Sequence, residues 1–302
     1  MSLEEFTRSL TGSGREPVMT ITRWYAAAPA DVWSAMTEPE RLARWLGAVE
    51  QVDGDGGVRH RIRFADAPDT PADAQVERCV PHELLVVGWD WQGEEPSRLT
   101  LSLAPDGEGT QLTLEHRLGE PDHVVAYGGG WEQCLASLGA LFGEAVPGAA
   151  YEGEAAGRWD GLAGRPLVLS VDLRATSGEV WRALTTVDGL QAWWWNHWDD
   201  VEIDADARPG GAYRFAAPGA GIRVEGTYLE VQPCTHLSFT WRWSDDEGTS
   251  ADEACDVRLQ EMPGGCRLTL RHSGPWTDDT PAASYRQGWE FVFAALSRVL
   301  TR

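Results

Sequence analysis

The chain contains no lysine; all 25 of its basic residues are arginine, set against 47 acidic ones. Without lysine there is no Schiff-base chemistry, no pyridoxal-phosphate anchor and no Walker-type phosphate loop. The formal net charge is -22. No basic surface is available to neutralise phosphates, which argues against nucleic acid and anionic membranes as partners. No run approaches the ~20 apolar residues that a membrane-spanning helix needs. Cysteine is sparse: Cys79, Cys134, Cys234, Cys255 and Cys266 form no C-x-x-C pair. Zinc and thioredoxin-type sites are therefore not indicated, and reduced thiols are expected. Cys255 and Cys266 could face each other across a hairpin, which spacing alone does not establish. No G-x-S-x-G, H-E-x-x-H or glycine-rich nucleotide fingerprint occurs, and no metal cluster. No metal and no cofactor are expected. Met1 to Pro17 is polar and lacks an apolar stretch of the secretory kind, so the expected location is the cytoplasm.

What is present is a repeat. The chain has 302 residues, a length that suits two domains. Val32-Trp33 is answered by Val180-Trp181, and Leu42 and Trp45 by Leu190 and Trp193. Pro81 followed by Trp89 and Trp91 is answered by Pro233 followed by Trp241 and Trp243. Leu112 to His116 pairs with Leu268 to His272, and Tyr127 with Gly130-Trp131-Glu132 pairs with Tyr285 with Gly288-Trp289-Glu290. Matched blocks in one order mean two copies of one domain.

Each copy reads as a strand, two short helices, several strands broken by turn signals such as Asp53 to Gly57, Pro105-Asp106-Gly107 and Pro263-Gly264-Gly265, and a long closing helix. The closing helices are expected near Asp122 to Phe142 and Pro281 to Leu300. The fold class is α+β, a curved antiparallel sheet packed on one long helix. The expected organisation is an N-terminal extension over 1–18, a first domain over 19–145, a glycine-rich linker over 146–165 and a second domain over 166–302.

These marks resemble the SRPBCC or START-like superfamily, the helix-grip fold, and more closely the family named after the activator of the heat-shock protein 90 ATPase. The resemblance is carried by Ala26 to Trp33, Leu42 to Trp45, Trp89, Leu112 to His116 and Gly130-Trp131. It recurs in Ala175 to Trp181, Leu190 to Trp195, Trp241, Leu268 to His272 and Gly288-Trp289. It implies tandem helix-grip domains, each with a cavity between the long helix and the sheet.

Alternation places Leu85, Val87, Trp89 and Trp91 on one strand face, and Leu237, Phe239, Trp241 and Trp243 on its counterpart. Trp131 and Trp289 arrive from the opposing helix. These indoles either line a ligand space or fill a core. Sixteen tryptophans occur, ten of them after residue 150, which favours the second copy as the better-formed pocket. Trp193, Trp194, Trp195 and Trp198 are too crowded to be buried together, and a partly exposed rim is expected there, for ligand access or for packing between the domains. His116 and His272 point inward, either as proton-transfer groups or as bonded core histidines. Tyr127 and Tyr285 reach the same space or face solvent. Arg23 is expected on the surface and Trp24 inside.

The leading expectation is a binding protein for a small hydrophobic, aromatic ligand held by Trp89, Trp91, Trp131, Trp194, Trp195, Trp241, Trp243 and Trp289. By analogy with polyketide aromatase/cyclases of the superfamily, the alternative is a cofactor-independent enzyme using His116, His272, Tyr127 and Tyr285. The family name suggests a third reading, a chaperone-linked interaction module.

Overall fold

A computed structural model of the chain describes residues 3–13, 16–54, 57–64, 69–250, 253–276 and 279–301. It divides into two units, one holding 1–8 and 12–160, the other 9–11 and 161–302. The first contains β1 (Phe6–Ser13) apart from its residues 9–11, β2 (Glu16–Tyr25), α1 (Pro29–Thr37), α2 (Pro39–Leu42), β3 (Ala48–Gly54), β4 (Gly57–Arg63), β5 (Ala72–Val80), β6 (Leu84–Trp91), β7 (Ser97–Asp106), β8 (Gly109–Arg117) and α3 (Val124–Gly139). The sheet order is β1-β2-β8-β7-β6-β5-β4-β3, antiparallel from β2 onward.

The second unit repeats this plan with β9 (Leu167–Leu173), α5 (Ser177–Thr185), α6 (Val187–Gln191), β10 (Glu202–Ala205), β11 (Ala212–Ala217), β12 (Ile222–Gln232), β13 (His236–Asp245), the short β14 (Gly248–Thr249), β15 (Glu253–Met262), β16 (Gly265–Ser273) and α7 (Thr280–Leu300). Its order, β9-β16-β15-β13-β12-β11-β10, matches the first sheet from β2 to β3, with β14 on β13. The likeness extends to irregularities. The β5–β6 ladder shifts register between Val76 and Arg78, and the β12–β13 ladder between Tyr228 and Glu230. The turns after Pro81 and Pro233 place His82 and Cys234 in the left-handed region.

Both closing helices form close to their expected limits. Pro105-Asp106-Gly107 and Pro263-Gly264-Gly265 open turns whose Gly107 and Gly264 take positive φ, as tight hairpins require. In the turn signal Asp53 to Gly57, Asp55 and Gly56 lie outside the described residues.

Three expectations change. The segment read as a linker folds as α4 (Tyr151–Gly164), burying Tyr151, Ala155, Trp159 and Leu162 at helical spacing. The segment read as an N-terminal extension supplies β1, whose buried Arg8 forks onto the Glu132 carboxylate of α3 at 2.7 and 2.6 Å. Arg23 and Trp24 exchange their expected places: Arg23 is 2% exposed and Trp24 46%. Alternation along β2 decides this, since Met19, Ile21 and Tyr25 share the inward face with Arg23. The two terminal nitrogens of the buried guanidinium donate to the Glu144 carboxylate, to Glu5 and to the Leu135 carbonyl, and the group lies over the Phe6 and Tyr25 rings. Cys255 and Cys266 are free; they sit opposite His272 and Glu261 in the β15–β16 ladder rather than each other.

Candidate functional site

In the first unit two hydrogen-bond chains cross the space between α3 and the sheet. Trp131 Nε1, on α3, donates to His116 Nδ1 on β8 at 3.1 Å. An indole N–H can only donate, so the imidazole proton sits on Nε2. Nε2 then donates to Ser97 Oγ at 2.8 Å. Burial pushes His116 down to about 3, so it is neutral near pH 7. In the second chain Trp89 Nε1 donates to Tyr127 Oη at 3.2 Å, and Tyr127 donates to Glu94 Oε2 at 2.7 Å. Burial and the neighbouring Glu94 both raise the Tyr127 pKa, which keeps its hydroxyl protonated. Glu94 Oε1 lies 3.4 Å from His123 Nδ1 at the start of α3.

Around these chains lie two spaces. The outer one holds about 400 Å³ and is lined by Trp45, Phe64, Trp89, Trp91, Tyr127 and Trp131, with Glu94, His123, Gln133, Cys134 and Glu152 as its polar groups. Phe64 stacks on Trp91 at 5.1 Å. The inner one holds about 300 Å³ and is almost wholly apolar, running from Met36 and Leu42 to Leu99 and Leu114. Trp45, Leu46, Trp89 and Trp131 line both. Two of these indoles are held in place by the two hydrogen-bond chains. The volumes fall in the range of small-molecule sites.

α3 is built to leave this room. A Cβ at Gly128 would run into the Trp159 ring of α4, and one at Gly129 would lie 2.9 Å from the Glu152 carbonyl. Gly130, one position on, meets nothing within 4 Å and lines the outer space. The first two glycines let α4 approach; the third leaves volume open.

Among the described residues, the second unit keeps the scaffold and lacks the volume. Trp289 Nε1 donates to His272 Nδ1 at 3.2 Å, and burial pushes His272 down to about 3. His272 Nε2 has no hydrogen-bond partner among the described residues; Glu253 Oε2 is 3.8 Å away. Glu253 stands where the first unit has Ser97, as the ladder positions beside His272 and His116 show. It accepts from Tyr285 at 2.7 Å, Ser250 at 2.9 Å and Trp276 at 3.0 Å. The space beneath is only about 30 Å³.

Register explains the loss. Trp45 and Trp193 both donate to a helix carbonyl, of Ala35 and Ala183, at 2.9 Å. The next residue is Leu46 in one unit and Trp194 in the other. By the same alignment of ladders, Tyr213, Phe215, Tyr228 and Phe239 stand where the first unit has His60, Ile62, Val76 and Val87. All five first-unit residues line the inner space, and all five replacements fill its counterpart.

Residues 26–143 and 174–301 both match the family described as "Activator of Hsp90 ATPase homolog 1-like protein". Together these segments exceed half of the chain. The chain belongs to this family. Its fold is the tandem helix-grip, SRPBCC-type α+β arrangement. Among solved structures, the crystal structure of CalU16 from Micromonospora echinospora is 28% identical, covering 53% of this chain and 98% of its own, with a TM-score of 0.45. Protein MLL2253 from Mesorhizobium loti is 24% identical over 46% of this chain and 98% of its own, TM-score 0.40. DynU16, from the dynemicin biosynthetic locus, is 18% identical over 94% of this chain and 98% of its own, TM-score 0.38. None of the curated proteins compared with the chain matches it.

Of the residues expected at the site, this family member brings Trp89, Trp91, Trp131 and Tyr127 to one space, with His116 behind Trp131. Trp194, Trp241 and Trp289 pack against one another at 5.1 to 6.2 Å. Trp195 packs on Trp198 and Trp243, and the Trp243 indole bonds Asp245. Trp193, Trp194 and Trp195 are all buried and Trp198 is half-buried, so only Trp198 remains of the expected partly exposed rim. The positive φ of Trp195 turns the chain so that three successive rings reach the interior. Of the spaces formed by the described residues, the two larger ones belong to the copy with fewer tryptophans. Glu94, Phe64 and His123 were not singled out by sequence; Glu94 sits in a loop with no counterpart block, so no repeat signal marks it. No helix among the described residues is long and apolar enough to cross a membrane.

Proposed function

We propose that the first domain binds a small hydrophobic, aromatic ligand between α3 and the sheet, and that the second domain holds no ligand of that size. The observation that carries this reading is the contrast between about 400 and 300 Å³ in one copy and about 30 Å³ in the other. Rings at several angles supply apolar walls, and the Tyr127–Glu94 pair supplies one fixed polar end. A catalytic role for His116 draws no support from this geometry, because both ring nitrogens are engaged and the group is neutral.

Native mass spectrometry of the protein from its own cells tests the reading. One non-covalent equivalent per chain is expected, and Gly130→Phe should abolish it, since the new ring would occupy open space. Two equivalents, or one that survives Gly130→Phe, would overturn the assignment to the first domain.

A further inference from the structure

The charge around the first-domain cavity points to the chemical class of its ligand, an inference that rests on the binding reading above. Among the described residues no arginine lines either space. The charged groups at the outer space are Glu94 and Glu152, with His123 beside Glu94. Glu94 is fixed rather than free to swing away: Tyr127 donates to Oε2, and its backbone N–H donates to the Trp91 carbonyl at 3.0 Å. Its side chain is 21% exposed, so the carboxylate is largely but not wholly withdrawn from water. Trp91 and Tyr127 meet edge to face at 6.4 Å next to it.

We infer that the ligand is an arylalkyl amine in its cationic form, an aromatic body carrying an aliphatic ammonium held by Glu94 among the faces of Trp91, Tyr127 and Trp89. An ammonium would gain a charge-assisted hydrogen bond from the carboxylate and attraction to the ring faces. A carboxylate or phosphate would lose water and meet Glu94 and Glu152 with no arginine among the lining residues to offset them. The net charge of -22 acts in the same direction by concentrating cations near the surface. The apolar body would lie against Trp45 and Trp131 toward the inner space.

The test is calorimetric titration of the full chain with three naphthalenes alike in body: 1-naphthylmethylammonium, 1-naphthalenemethanol and 1-naphthylacetate. The ammonium is expected to bind at least about tenfold more tightly than the alcohol, and the acetate most weakly. Glu94→Gln keeps an acceptor for Tyr127 and removes the charge, so it should erase the ammonium's advantage over the alcohol. Equal affinities, an advantage that survives Glu94→Gln, or tightest binding of the acetate would overturn the inference. Gly130→Phe separates the two readings. If the alcohol binds and Gly130→Phe blocks it, the cavity assignment stands whatever the ammonium does. If no probe binds, or Gly130→Phe changes nothing, both fall.

Discussion

Three buried histidines carry opposite electrostatic loads, and they set opposite limits on stability. His116 and His272 each accept an indole N–H and are pushed down to about 3 by burial. An unfolded histidine titrates near 6.5. Below that value the unfolded chain binds protons the folded one refuses, so their contribution is whole above pH ~6.5 and falls away toward pH 3. His236 is the reverse. Burial opposes its charge, but hydrogen bonds to Asp256 at 2.7 Å and to Glu230 at 3.2 Å outweigh it and raise the group to about 9, with Arg258 nearby as the opposing charge. Its contribution is whole below pH ~6.5 and is lost as pH rises through 9. His236→Gln should therefore remove the loss of Tm between pH 7 and 9 while leaving the acid side unaltered; an unchanged alkaline limb would refute this. Ring-nitrogen NMR should show His116 and His272 as neutral Nε2–H tautomers at pH 5. Strand alternation was enough to turn these two side chains inward. It says nothing of the partner, because Trp131 and Trp289 arrive from a helix far along the chain.

At the scale of elements, α3 and α4 show how neighbouring glycines do different work. Gly128→Ala gains about 0.5–1 kcal/mol of helix preference. It also drives a methyl group into the Trp159 ring, which is wholly buried and bonded to Glu132 at 2.6 Å. Overpacking of this kind costs roughly 1–3 kcal/mol, so the net change is destabilising. Gly130→Ala gains the same helix preference and meets open space, so it should stabilise. Thermal unfolding of the two variants should move in opposite directions; movement in one direction would mean that α4 does not pack as described. The glycines of α4 hid this helix from a reading by composition, since Gly153, Gly157, Gly161 and Gly164 lower its intrinsic propensity. Tyr151, Ala155, Trp159 and Leu162 were the signal available, an apolar stripe at helical spacing that tertiary packing converts into a helix. Arg23 is a similar case. The period of β2 was legible, and only the buried carboxylate of Glu144 makes an inward arginine tolerable.

The two halves keep one backbone plan and divide its uses through side-chain volume. Repeated blocks made the plan readable, because they mark the Trp45 and Trp193 anchors, the Trp-bearing strands and the closing helices. They did not reveal which half is hollow. Leu46 and Trp194, and Val87 and Phe239, sit beside matched tryptophans, but the equivalence of His60, Ile62 and Val76 with Tyr213, Phe215 and Tyr228 appears only once the ladders are in register. Counting tryptophans misled for a physical reason: beyond a certain number, rings fill a space instead of lining it. Leu46 and Trp194 allow a reciprocal test. Leu46→Trp adds a ring where about 300 and 400 Å³ are open. It should abolish ligand uptake without lowering Tm. Trp194→Leu removes a ring packed on Trp193, Trp195, Phe215, Trp241 and Trp289, and should destabilise by roughly 2–3 kcal/mol through lost contacts and a cavity. Ligand affinity in that variant should be unaltered if the proposed site lies in the first unit alone. If Leu46→Trp instead unfolds the protein, or Trp194→Leu weakens binding as strongly as Leu46→Trp does, the division into a hollow and a filled domain is wrong.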